Sequence, residues 1–134
     1  KRIGINQLKK INILIDRRRK IGNLYYNLFS SSYPWVKQYW KINTPYSHIP
    51  FLHPNRNELQ EYLLENGIET EKYFDYIVPE LEQYKYDGKF LRAKHLSDQI
   101  INLPINVALN KMTISKIVAT IKEFEININY IKKK

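Results

Sequence analysis

The chain contains several side chains of types that perform chemistry, arranged as short pairs and clusters. Glu58 with Glu61, and Glu80 with Glu82, are paired carboxylates of the kind that cleave glycosides by acid and base catalysis. Helix capping and loop solvation explain all four residues more simply. The pairs alone therefore do not predict a glycoside hydrolase.

Metal and thiol sites have little support. The spacing of His48, His53 and His95 matches no zinc pattern, and the chain has no cysteine. We therefore predict no metal ligands, and disulfides and thiol catalysis are excluded. The lack of cysteine fits the reducing cytoplasm, where we expect the protein to be. The four glycines form no phosphate-binding loop, and the sequence has no Gly-x-Ser-x-Gly motif.

Basic and aromatic residues suggest a second class of function, a small nucleic-acid-binding module. Arg17–Lys20 could contact phosphates. The residues that could stack on bases are Trp35, Tyr39 and Trp40, with Lys37 and Lys41 beside them. Consecutive helical side chains point about 100° apart, so a solvated face is the simpler interpretation of Arg17–Lys20. A core cluster, or an interface with another domain, is the simpler one for the aromatic residues.

The 134 residues correspond to one domain or part of one. Hydrophobic residues make up 43% and charged residues 26%, as in ordinary globular proteins. The net charge of +9 fits an anionic partner, but the joint abundance of Lys, Asn, Ile and Tyr also fits AT-rich coding DNA. No apolar run approaches the roughly 20 residues that span a bilayer, so we expect no membrane partner. We see no signal peptide, and a start at Lys1 suggests that an upstream portion is missing.

Apolar periodicity predicts one long helix from about Ile5 to Phe29. Its stripe consists of Ile11, Leu14, Ile15, Ile21, Leu24, Tyr25 and Leu28. At 1.5 Å per residue such a helix is roughly 40 Å long, a length that suits a connection between two domains. After a turn at Ser30–Pro34, we predict a strand or irregular segment at Trp35–Trp40 and an edge strand at Tyr46–His53.

The middle of the chain predicts a helix and then a strand. Asn55 and Glu58 resemble a capping box, and Gly67 can end the helix in the left-handed conformation. Ile68–Phe74 reads as a strand. A loop follows over residues 75–89.

The last third predicts two helices separated by a short extended piece. The first spans Leu91–Ile101, with Ala93, Leu96 and Ile100 inward, and the extended piece covers Leu103–Val107. Asn110 caps the second helix, whose stripe consists of Ile114, Ile117, Val118, Ile121 and Phe124. Ile126–Tyr130 reads as a weak tail and Lys132–Lys134 as frayed. The element order predicts an α+β fold, with a small antiparallel or mixed sheet covered by helices.

Four collinear segments give a family resemblance. They are Gly4–Asn12 with the basic run Ile15–Lys20, then Arg56–Thr70, then Lys72-Tyr-Phe74, then Phe90–Phe124 with its helix, Leu103-Pro104 and helix. In this order they resemble the C-terminal end of the DegT/StrS-type PLP-dependent nucleotide-sugar aminotransferases.

The resemblance implies a homodimeric fold-type I enzyme that transfers an amino group from glutamate to a keto-sugar nucleotide, in a pathway making amino-deoxy sugars for surface polysaccharide or a glycosylated metabolite. PLP is bound to a lysine of the large domain. This chain resembles only the small domain: residues 1–30 would be the helix from a missing large domain, and residues 31–134 the small α+β domain. It would supply no catalytic residue and be inactive alone, and nucleic acid is not an expected partner. An inactive relic is a further possibility.

Lys72 and Tyr73 are the substrate-binding residues that the resemblance implies. Lys72 would meet a phosphate of the sugar nucleotide, and Tyr73 would stack or hydrogen-bond, although Tyr73 could equally be a strand residue packed on the final helix. The chain departs from the family at Glu71, where many members have arginine, and at Asp75 and Val107. The departures near residue 71 put substrate specificity and activity in doubt.

Overall fold

The computed structural model describes residues 2–73, 76–84, 88 and 90–131. In chain order its elements are α1 (Arg2–Phe29), α2 (Pro34–Tyr39), β1 (Ile49–Leu52), α3 (Arg56–Glu65), a 3-10 helix (Val78–Glu80), α4 (Leu91–Gln99), β2 (Ile100–Leu103) and α5 (Lys111–Ile131). The two strands form an antiparallel sheet. The predicted α+β class with a long N-terminal helix is confirmed. Phe74, Asp75 and Lys132–Lys134, which carried earlier predictions, lie outside the described residues.

The chain divides into two compact units, one formed by residues 1–49 with 105–134 and one by residues 50–104. In the first unit α1 packs against α5. The predicted stripe of α5 is confirmed, since Ile114, Ile117, Val118, Ile121 and Phe124 are all buried. The α1 side of this core consists of Ile21, Tyr25 and Phe29. As predicted, Asn110 caps the N-terminus of α5, because its side-chain oxygen accepts a hydrogen bond from the Thr113 N–H at 2.9 Å.

The first half of α1 is exposed. From residue 4 to residue 20, no side chain that the structure describes is buried. Ile5, Leu8, Ile11 and Ile13 are 45–66% exposed. Of the predicted apolar stripe of α1, the fully buried members therefore begin at Ile21; among the earlier members, Leu14 and Ile15 are partly covered by the described residues and Ile11 is exposed.

Helix α2 contradicts the predicted strand or irregular segment at Trp35–Trp40. Pro34 occupies the first turn, where its fixed φ and missing N–H suit a helix. Val36 and Trp40 are buried, and the Trp40 ring packs edge-on against Phe29 at 6.0 Å. Aromatic residues favour strands only as a weak preference, and packing on the end of α1 outweighs it here.

The second unit places α3 against β2. Phe51, Leu59, Leu63 and Ile101 are fully buried in this unit. Gly67 follows α3 with φ of +73°, the predicted left-handed conformation that glycine adopts without strain.

The N-terminus of α3 differs from the predicted capping box. The Asn55 side chain makes no cap hydrogen bond. Instead its backbone N–H donates to His53 Nδ1 at 3.0 Å. The Arg56 side chain is buried and donates through Nη1 to the Ser97 carbonyl at 2.5 Å.

The predicted strand at Ile68–Phe74 was too long. In its described part, only Glu71 pairs, through an antiparallel bridge to Asn102. The extended piece predicted at Leu103–Val107 begins earlier, because β2 spans Ile100–Leu103.

The inward face predicted for α4 is also wrong. Ala93 is exposed and Leu96 is 48% exposed, whereas Ser97 is the buried residue of this helix. Ile100 belongs to β2 rather than to the helix. The predicted weak tail at Ile126–Tyr130 is helical, because α5 continues to Ile131. Among the described residues, no helix is long and apolar enough to cross a membrane.

Replacing Gly22 should destabilise the first unit. A Cβ at Gly22 would lie 2.8 Å from Cδ2 of Tyr46, and the Tyr46 hydroxyl is fixed because it accepts from the Lys41 N–H at 2.6 Å. We expect Gly22→Ala to lower the free energy of unfolding by about 1 kcal/mol, because overpacking costs about 1–3 kcal/mol and alanine regains about 1 kcal/mol of helix preference. Urea unfolding measures this change.

The matched control is Gly4→Ala on the same helix, where, apart from the adjacent residues and the helix's own backbone, no atom of the described residues lies within 4 Å of the added Cβ. Its unfolding free energy should stay equal or rise slightly. Equal stability of the two variants would contradict the close approach of Tyr46 to α1.

Candidate functional site

Lys72 and Tyr73 lie on the extended segment that follows α3. Two contacts fix its backbone. The Gln60 side chain donates through Nε2 to the Thr70 carbonyl at 3.1 Å. Glu71 and Asn102 exchange backbone hydrogen bonds, at 3.2 Å from the Glu71 N–H and 2.8 Å from the Asn102 N–H. Hydrogen bonds to α3 on one side and to β2 on the other therefore hold this segment in place.

The two predicted site side chains are each engaged by a neighbour. Lys72 Nζ donates to Asn57 Oδ1 at 2.8 Å. The Tyr73 side chain is 48% exposed, and its hydroxyl is hydrogen-bonded to the Glu71 carboxylate. This hydrogen bond, and then the negative charge of Glu71, raise the pKa of Tyr73 above its ordinary value. The phenol is therefore protonated at neutral pH and cannot act as a base there.

Five residues of this region line an open depression of about 350 Å³: Gln60, Thr70, Glu71, Lys72 and Tyr73. The Thr70 hydroxyl is buried and has no hydrogen-bond partner among the residues that the structure describes. The lining residues therefore include a carboxylate, an ammonium, a phenol and a carboxamide. The depression can bind a polar ligand, but it lacks the nucleophile–base pair that group transfer by side chains requires. No sequence pattern pointed to Gln60 or Thr70, because their role depends on the fold.

The other candidate residues from the sequence do not come together in a common site. Glu80 forms an ion pair with Lys94 at 3.5 Å, and Glu58, Glu61 and Glu82 are exposed. The described residues contain no group of three or more potential metal ligands. Arg17, Arg19 and Lys20 are exposed, and Trp40 is a core residue next to Trp35, with ring centroids 5.9 Å apart.

The described lysines do not fit a PLP-binding role. A lysine that forms a Schiff base is typically desolvated, with a lowered pKa. Every lysine that the structure describes is exposed or half-exposed. Asp98 and then Glu80 raise the pKa of Lys94 instead. We therefore assign no step of PLP chemistry to these residues.

Comparison with known proteins decides the family. Residues 2–122 match the model of the DegT/DnrJ/EryC1/StrS aminotransferase family. This chain belongs to that family. The predicted family resemblance is thereby confirmed.

The chain covers only part of its aminotransferase relatives. It is 30% identical over 128 residues to dTDP-4-amino-4,6-dideoxy-D-glucose transaminase of Escherichia coli, an alignment over 85% of this chain and 34% of that protein. A Streptococcus pneumoniae structure described as a sugar aminotransferase in its PMP form matches with a TM-score of 0.80 at 22% identity, over 98% of this chain and 36% of that one. Helicobacter pylori PseC, an aminotransferase involved in pseudoaminic acid biosynthesis, matches with a TM-score of 0.75 at 20% identity, over 90% and 35%. The chain thus spans about one third of the length of these relatives.

The pKa of Tyr73 should depend on Glu71. We expect Tyr73 to ionise above the ordinary tyrosine pKa of about 10, and Glu71→Gln to lower its pKa toward that value. Because the folded pKa is raised, the interaction stabilises the fold below the unfolded pKa, and this contribution is lost as pH rises through the folded pKa. A pH titration of the Tyr73 Cζ NMR resonance measures both pKa values.

The matched control is Glu69→Gln, which removes an exposed carboxylate two residues away. It should leave the Tyr73 titration unchanged. A Glu71→Gln variant with the native Tyr73 pKa would show that Glu71 does not accept from the Tyr73 hydroxyl.

Proposed function

We propose that this chain is the C-terminal part of a PLP-dependent aminotransferase that moves an amino group from glutamate to a keto-sugar nucleotide. The observation that carries the proposal is the pattern of coverage: the family match runs over residues 2–122 of this chain, yet only 34% of the transaminase from Escherichia coli is covered. That relative's name also supports a sugar nucleotide as the substrate class. The parent enzyme is a cytoplasmic homodimer in a pathway that makes amino-deoxy sugars for surface polysaccharide or a glycosylated metabolite.

The PLP-binding lysine lies, in this proposal, on a large domain outside residues 1–134. PLP supplies the electron sink for transamination when it is bound there. Residues 1–30 connect that domain to the small domain, residues 31–134. The exposed apolar side chains of α1 support this arrangement, because Ile5, Leu8 and Ile13 are each more than half exposed and would be covered by the large domain.

Lys72 and Tyr73 are the substrate-binding residues of this proposal. Their position supports it, since both line the depression beside α3 and Lys72 donates a hydrogen bond to Asn57. A side chain held in this way orients a ligand at little entropic cost. Their role is to bind and position the substrate, while proton transfer belongs to the PLP-binding lysine.

The intact mass of the protein in its native cell tests the proposal first. A mass well above 16.2 kDa is expected, and that longer protein should bind PLP and transfer an amino group from glutamate to a keto-sugar nucleotide. The isolated chain should show neither PLP absorbance nor transaminase activity. PLP-dependent activity of residues 1–134 alone, or a longer protein that binds no PLP, would refute the proposal.

A second candidate function, nucleic-acid binding, is favoured by the distribution of charge. The unit formed by residues 1–49 and 105–134 contains 16 of the 22 Lys and Arg residues but three of the 13 Asp and Glu residues. This number of basic residues could neutralise the phosphates along a nucleic-acid strand. The exposed residues that would do so include Lys9, Lys10, Arg17, Arg19, Lys20, Lys37 and Lys41.

Binding of single-stranded DNA at low salt tests this second function. If it is correct, the dissociation constant is submicromolar and rises steeply with salt, because counterions are released from the strand. Lys9→Gln/Lys20→Gln should weaken binding, whereas Lys72→Gln in the other unit should not. The absence of a complex at low salt would eliminate this function and leave the aminotransferase proposal untouched.

A further inference from the structure

Helix α3 ends at Asn66 and Gly67, the only asparagine-glycine pair in the sequence. In such a pair the glycine nitrogen can attack the asparagine carboxamide, because glycine has no side chain to obstruct the approach. Both residues are exposed, so water reaches them. The pair is therefore a candidate site for deamidation, a covalent modification that requires no enzyme.

Deamidation exchanges one C–N bond for another and then consumes water. The Gly67 nitrogen loses its proton to hydroxide and attacks Cγ of Asn66. The Cγ–Nδ2 bond breaks, and Nδ2 takes a proton from water and leaves as ammonia. Water then opens the cyclic imide. Opening at Cγ gives aspartate, whereas opening at the backbone carbonyl carbon gives isoaspartate, in which the main chain runs through Cβ and Cγ.

The backbone at the end of α3 holds this pair in a geometry that does not react. The Gly67 N–H donates to the Leu64 carbonyl at 2.9 Å, and the Ile68 N–H donates to the Leu63 carbonyl at 2.8 Å. These are the two hydrogen bonds of a Schellman motif, which an apolar pair at the positions of Leu63 and Ile68 typically accompanies. Both of those side chains are buried. The attacking N–H is thus already engaged.

The Asn66 side chain is also directed away from the reaction. Its ψ of 13° turns the Gly67 nitrogen away from the Asn66 side chain about the Cα–C bond. Nδ2 of Asn66 donates to the Tyr62 carbonyl at 2.8 Å, which holds the carboxamide against the last turn of α3. Attack therefore requires rotation of ψ and the loss of hydrogen bonds made by both residues.

We propose that Asn66 is a deamidation site that the C-terminal turn of α3 keeps closed, so that its reaction records the opening of this turn. The product changes the turn permanently. Aspartate replaces the Nδ2 donor with a carboxylate at the helix C-terminus, where negative charge is unfavourable. Isoaspartate lengthens the main chain by one carbon atom just before Ile68, at the start of the segment that pairs through Glu71 with Asn102.

Deamidation of the 134-residue chain, folded and unfolded, tests the proposal. The two samples are kept at the same mildly alkaline pH and temperature, one in buffer and one in guanidinium chloride. Mass spectrometry of the peptide that contains Asn66 follows the conversion of amide to carboxylate. The unfolded chain should react faster by roughly tenfold or more, because the folded chain must first open the turn. Equal rates would overturn the proposal, and so would an unreactive Asn66 in the unfolded chain.

A pair of variants tests control by the turn without changing the reacting residues. Ile68→Ala removes the buried side chain of the motif and should accelerate deamidation of the folded chain by about tenfold. Leu64→Ala is the matched control, because that side chain is 61% exposed on the same turn, and the rate should stay unchanged. Circular dichroism confirms that both variants are folded. Equal rates in the two variants would refute control by the turn.

The effect of the product is measured on Asn66→Asp, which mimics the aspartate form. Loss of the hydrogen bond to the Tyr62 carbonyl, together with the added charge, should accelerate amide hydrogen exchange at Ile68 by about fivefold. Unchanged exchange there would contradict the consequence for the turn. None of these measurements involves PLP or a sugar nucleotide, so their outcome is independent of the proposed function.

Discussion

Strand β2 is the constraint on which the second unit depends. Ile101, Asn102 and Leu103 are buried, and a buried backbone must find a partner for each N–H and carbonyl group. β1 supplies partners along the strand, and Glu71 supplies them at Asn102. Just before the strand, the buried Ser97 carbonyl accepts from Arg56. The need to provide hydrogen-bond partners for this one strand therefore fixes the positions of β1, α3 and the segment that carries Lys72 and Tyr73.

The candidate site is a consequence of that pairing. Two backbone hydrogen bonds between Glu71 and Asn102 hold an otherwise irregular segment, and Gln60 adds a third contact from α3. Lys72 and Tyr73 then project beside α3, where Asn57 and Glu71 engage them. The residues that line the depression are thus held in position by hydrogen bonds to α3 and β2.

Sequence patterns predicted the elements with strong periodicity and missed those that depend on packing. The α5 stripe and the Asn110 cap were both predicted, because a 3.6-residue period and a capping oxygen are local signals. Trp35–Trp40 was assigned as a strand or irregular segment since aromatic residues favour strands, but contact with Phe29 stabilises a helix there. In α4 the buried residue is Ser97, a polar residue that no apolar pattern identifies. Lys72 and Tyr73 came from the resemblance, whereas Gln60 and Thr70 could not be predicted.

The sequence by itself determined the family, the α+β class and the long first helix. These properties follow from composition, periodicity and collinear segments, all of which are local or additive. Only the tertiary structure decided which part of α1 is covered, that Glu71 pairs with Asn102, and that the buried Thr70 hydroxyl has no hydrogen-bond partner within the described part of the chain. The reason is physical: burial and hydrogen-bond satisfaction are properties of residues brought together from distant positions, and Asn102 lies 31 positions after Glu71.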